Sequence, residues 1–212
     1  MTTLTPTKDT GATVKPAPGL YAEPDCYASR DELAAFMPGS GLNGEFMADQ
    51  MSSMLTHERC GVHLYRSVAG RTTLPDLRDK YEEFGRQTQR HVEILEAFIV
   101  QCGGNPNYVS PAARATEGMN SKILESTFVL NGTVDLETAE LTMLNAVFLA
   151  ESVDHANWEL LAQICEALPE GDMRDALRSA VDEVEQEEDA HLDWSRSTKA
   201  QLILQRSQEA TT

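Results

Sequence analysis

"EQEEDAHLDW", residues Glu185 to Trp194, decides how the chain folds. A helix turns about 100° per residue, so residues three, four and seven apart share a face. Traced outward, the apolar stripe through this stretch reads Leu177, Val181, Val184, Glu188, His191 and Leu192. Glu188 and His191 stand where core leucines belong. The periodicity predicts a helix from Asp172, which can cap it, to about Ser207.

Three more long helices follow from the same pattern. The first runs from about Asn43 to Ala69, with the stripe Met47, Met51, Met54, Glu58, Val62, Tyr65. The second starts near Thr73, carries Pro75 in its first turn and stops at the glycines of "CGG" (Cys102 to Gly104). Its stripe is Leu77, Phe84, Thr88, His91, Leu95, Phe98. The third runs from about Asp135 to Leu168, with Leu144, Val147, Glu151, His155 and Trp158. The turns "GRTT" and "PEG" make two helical hairpins, and the Asn105 to Val134 connection, with a short helix expected at "SKILESTFVL", joins them. No stretch alternates as a strand does. The expected fold is all-α: an antiparallel four-helix bundle with a long crossover between the second and third helices. A bundle of another topology is the alternative. Residues 1–40 read as a flexible tail, with a short helix at "SRDELAAF" capped by Ser29; residues 41–207 form the bundle and 208–212 a C-terminal tail.

Lys and Arg number 17 against 34 Asp and Glu, a net charge of -17 in 212 residues. Such a chain repels polyanions, so nucleic acid and anionic membrane surfaces are not expected partners, whereas cations are. The four cysteines include no CxxC pair, which argues against a zinc ribbon. No apolar run approaches the roughly 20 residues needed to span a bilayer. Without a signal-peptide pattern, a cytoplasmic location is expected.

Every long helix thus aims at least one potential ligand inward. A carboxylate buried without a partner costs several kcal/mol, and no Lys or Arg stands beside it on these stripes. A divalent or trivalent cation would supply the missing charge, and His completes a donor set suited to iron, manganese or zinc. Helical rise puts the candidates at matching depths. Glu151 and Glu188 each lie about 18 residues from the turn between them, and Glu58 and His91 lie within about two turns of each other's level.

These residues resemble the ferritin-like di-metal carboxylate superfamily, whose pattern is Glu on one helix and Glu-x-x-His on the next, repeated. Glu151 with "EDAH", Glu188 to His191, matches in full. Glu58 and His91 match, but the residue three before His91 is Thr88. "TQRHVEILEAF" followed by "CGGNP" is similar to the YciF-type, stress-associated branch. The resemblance spans roughly Met51 to Trp194. It implies a ferritin-like bundle, a homodimer, a link to stress responses and a site of Glu58, His91, Glu151, Glu188 and His191 for iron, as a di-iron pair, or for manganese or zinc. His155 is the candidate to replace the ligand that Thr88 withholds; Asp154 and Gln87 lie nearer the edges of their stripes. His57 and His63 fall off the first stripe and are expected at the surface, and Tyr65 is expected to pack.

Three functions remain open at this point. One is an oxidoreductase acting on O₂ or a peroxide. Another is a non-enzymatic helical stress protein with a relic cluster or a single structural ion. The third, an iron store, needs a closed shell of subunits.

Overall fold

The computed structural model describes residues 26–129, 132 and 134–208; most of the expected N-terminal tail and the last four residues lie outside that range. The described residues contain helices and no strand. The helices are α1 (Arg30–Ala34), α2 (Gly44–Ala69), α3 (Pro75–Gln101), α4 (Pro111–Ser126), α5 (Leu136–Ala167) and α6 (Asp172–Gln208).

Local chemistry sets their starts. Ser29 and Glu32 form a reciprocal capping box on α1. Asn43, Ser110 and Asp135 accept from the backbone N–H of Phe46, Ala113 and Thr138 to cap α2, α4 and α5. The long helices fall where the periodicity puts them. The connecting helix does not: α4 starts ten residues before the expected Ser121, because Pro111 opens it rather than breaking a loop. Proline suits a first helical position, where its missing N–H would have no partner in any case.

Helices α2 and α3 pack together, as do α5 and α6; α3 also touches α6, and α2 touches α5, closing a ring of four. Helix α4 lies against α2 and α5 outside that ring, and α1 packs on α2. The core divides into two apolar clusters. One holds Met51, Leu55, Leu95, Phe98, Trp158, Leu161, Leu177 and Val184. The other holds Tyr65, Val68, Tyr81, Phe84, Leu144 and Val147. On each of the four long helices the apolar sequence is interrupted between the two clusters, and the interruptions are Glu58, Thr88 with His91, Glu151 with Asp154, and Glu188 with His191. No described helix is long and apolar enough to cross a membrane.

Buried Glu140 of α5 ties the two hairpins at one end. Its carboxylate accepts from Thr72 Oγ1 (2.8 Å), the Thr73 N–H (2.7 Å) and Thr73 Oγ1 (3.1 Å), all in the turn between α2 and α3. This clasp holds α5 in register with the first hairpin, and so holds Glu151 level with Glu58. Replacing Glu140 by Ala would strand these donors and is expected to destabilise the chain by about 1–3 kcal/mol. A lowered denaturant midpoint with unchanged m checks it; an unshifted midpoint refutes the clasp.

Candidate metal centre

Glu58, His91, Glu188 and His191 are all 0–1% exposed, and Glu151 is 3% exposed. Two sets of donor atoms converge, each set within 4.8 Å of one another: Glu58, His91 and Glu188, and Glu151, Glu188 and His191. Glu188 belongs to both. His91 Nδ1 lies 3.0 Å from Glu188 Oε1 and 3.9 Å from Glu58 Oε1. His191 Nδ1 lies 3.2 Å from Glu151 Oε2 and 3.6 Å from Glu188 Oε1.

One polar atom of each terminal residue is held by a neighbour. Trp158 Nε1 donates to Glu58 Oε1 (2.7 Å), and Tyr65 donates its hydroxyl proton to Glu151 Oε1 (2.7 Å). His91 Nε2 is 2.9 Å from Glu187 Oε2, and His191 Nε2 is 3.0 Å from Gln87 Oε1. Both contacts are to acceptor oxygens, so each Nε2 carries a proton and each Nδ1 is turned inward. The inward atoms have no hydrogen-bond partner: Glu58 Oε2, Glu151 Oε2, both oxygens of Glu188, and Nδ1 of His91 and His191. Six unpartnered polar atoms face each other in a core that buries no Lys or Arg among the described residues.

Without a cation, protons must do the balancing. Burial pushes the carboxyls of Glu58 and Glu188 well above the usual carboxylate range, with Asp154 adding to both. Burial holds His91 down at about 4, so its imidazole is neutral at pH 7. Partly buried Glu187 moves the other way: its burial is outweighed by the hydrogen bonds of His91 and Gln87 and the charge of Arg90, which lower it. The donor set fits a metal pair. It has three carboxylates and two imidazoles whose outer partners orient them.

The structure does not bring His155 into this cluster. Its Nε2 lies 2.8 Å from exposed Asp189 Oδ1 and its Nδ1 3.8 Å from Glu159, at the bundle's edge. Buried α5 residues run Val147, Glu151, Asp154, Trp158, Leu161, Cys165, in alternating steps of four and three. That is the seam of long supercoiled helices, and it puts Asp154 inside and His155 outside. His57 is also a correction: it is buried, with Nε2 3.1 Å from the Ala150 carbonyl and Nδ1 accepting from Asn120 Nδ2 (3.1 Å). Helix α4 covers a second face of α2, which a single-stripe reading leaves to solvent. His63 is exposed as expected. Tyr65 packs, and it also positions Glu151. Thr88 is buried, and its hydroxyl turns back to the Phe84 carbonyl (3.0 Å). Its methyl would lie 3.1 Å from a Cβ at Gly61, so α2 and α3 meet closely there.

The raised carboxyls set a pH dependence for the metal-free chain. Glu58 and Glu188 stay protonated when folded but ionise when unfolded, so the folded state binds more protons and stability falls as pH rises above about 4.5. Asp154, raised to about 6 mainly by burial, adds to this up to that value. His91 acts oppositely, adding stability between about 4 and its ordinary 6.5, and is silent above. Between pH 6.5 and 8 the melting temperature of chelated protein is therefore expected to decline, and saturating divalent cation to abolish the decline. Calorimetry checks it; a flat or rising profile without metal refutes it.

No family model, curated protein or solved structure matches the chain.

Proposed function

We propose that this chain is a ferritin-like metalloprotein. It is an antiparallel four-helix bundle with its crossover, through α4, between the second and third long helices. Its Glu58, His91, Glu151, Glu188 and His191 hold metal ions, iron first, with manganese or zinc served by the same donors. The observation that carries this reading is Glu188: both its oxygens are buried and unpartnered, and it is shared by two converging triads. Such a residue suits a bridge between two cations.

A redox-active pair bound there would supply a two-electron change toward O₂ or a peroxide, the chemistry we propose for a stress-response oxidoreductase. The chain's own residues prepare the site for it. Tyr65 and Trp158 each hold one oxygen of a terminal Glu and leave the other free to ligate. Gln87 and Glu187 keep protons on the outer nitrogens of His191 and His91. The two apolar clusters exclude water from both sides of the polar layer and strengthen every charge interaction within it. Thr88 favours a second reading, a non-enzymatic stress protein with one structural ion, because it deprives the layer of one bridging carboxylate.

Elemental analysis of protein purified without added metal tests the proposal. Chelation is expected to lower the melting temperature and metal to restore it, since a ligand at 100 times its Kd stabilises by about 2.7 kcal/mol. Glu188→Gln is expected to weaken binding by more than the 10–100-fold that loss of an outer partner gives, with the helices intact. The exposed control Glu185→Gln should bind like the parent. Metal-free protein that melts no earlier than metal-treated protein, or Glu188→Gln that binds as the parent does, would overturn it.

A further inference from the structure

Thr88 leaves the first hairpin one carboxylate short, yet the polar layer is not short of one. Asp154 lies one helical turn beyond Glu151 on α5, on the inward seam, and is 4% exposed. Its Oδ1 has no hydrogen-bond partner. It is close enough to Glu58 and Glu188 to push up both their carboxyls, and its own surroundings include Glu151, Glu58 and His191. His57 is the one other imidazole that acts on it, and its ring nitrogens are turned to the Ala150 carbonyl and to Asn120. In the metal-free chain a hydrogen bond with the raised Glu58 carboxyl partly offsets the Asp154 charge, and Oδ1 is left without a partner. A buried carboxylate with a free oxygen against two candidate ligands costs several kcal/mol unless something compensates it.

We infer that Asp154 is the fourth acidic ligand of the centre, taking from α5 the place that Thr88 leaves empty on α3. The inference rests on the metal-binding reading above. Charge supports it. Glu58, Glu151, Asp154 and Glu188 together bring four negative charges, which two divalent cations balance, while the two imidazoles stay neutral. Three carboxylates alone would leave a pair of divalent ions with net positive charge. Packing supports it as well. At position 88 the threonine methyl faces Gly61 of α2 and the hydroxyl turns back to the Phe84 carbonyl, so α3 offers the layer no carboxylate there. The site is thus built from one Glu and one His on the first hairpin, and two Glu, one Asp and one His on the second. Its preference is for two divalent ions over one.

Metal stoichiometry tests the inference. Full-length protein is stripped with chelator and titrated with Mn(II), bound ions being counted by elemental analysis after desalting. The parent is expected to bind two ions per chain. Asp154→Asn keeps shape and removes charge, and is expected to bind one ion, or to bind the second at least tenfold more weakly. Its metal-free form should melt at the parent's temperature or above, because a repelling charge has gone. Asp154→Ser, smaller still, should lose the same ion and serves if the amide perturbs folding. Asp189→Asn, an exposed neighbour, is the control and should bind two. Two ions bound at parental affinity by either folded Asp154 variant would overturn the inference while leaving the metal centre standing. A parent that binds one ion overturns the pair and, with it, the role of Asp154 in holding the second. A parent that binds none removes both readings.

Discussion

Everything in this structure answers to the need to neutralise a layer of buried carboxylates. Glu58, Glu151, Asp154 and Glu188 sit in the middle of a helical core whose total stability, for a domain of this size, is about 5–15 kcal/mol. The protein meets the cost in two parts. Neighbours from other helices satisfy the outer oxygens and nitrogens. The inner atoms are left to a cation or to retained protons. This division explains why the layer is flanked by aromatic residues with polar tips: Trp158 and Tyr65 fill the core and still donate one hydrogen bond each.

Cross-bracing makes the arrangement rigid. Residues of one hairpin hold the candidate ligands of the other: Tyr65 of α2 holds Glu151 of α5, Gln87 of α3 holds His191 of α6, and Glu187 of α6 holds His91 of α3. Trp158 of α5 holds Glu58 of α2. The His191 ring also packs tilted against Phe84, 4.1 Å between centroids, and the two imidazole centroids lie 5.9 Å apart with their planes 28° from parallel. A ligand cannot swing away without breaking a bond that also docks the hairpins.

The helices and the main donors were legible because periodicity is a local property. A Glu at stripe position 58 or 188 stands out against leucine and valine whatever the tertiary arrangement. The failures have a different origin. Choosing His155 over Asp154 assumed a straight helix, whereas α5 keeps a seam that alternates steps of four and three over many turns. That choice needs the neighbouring helix as well as the sequence of α5. His57 and the early start of α4 share one cause: the part of the connection before Ser121, which reads as loop, is helical, and it buries a face that single-helix reasoning assigns to water. The roles of Tyr65, Trp158, Gln87 and Glu187 depend on which residue sits opposite across the bundle, and no spacing along the chain carries that information.

The two triads differ in where their residues lie along the chain. Glu151, Glu188 and His191 all belong to the α5–α6 hairpin, whereas Glu58, His91 and Glu188 span both hairpins. One set is therefore complete as soon as a single hairpin has closed, and forms from contacts of low sequence separation. The other closes a loop that contains the crossover and α4, and carries the larger entropy of loop closure. An ion at the first set would nucleate the second hairpin on its own, and an ion at the second would then act as a non-covalent cross-link between two prefolded halves. Assembly order is in this way written into the asymmetry that Thr88 creates.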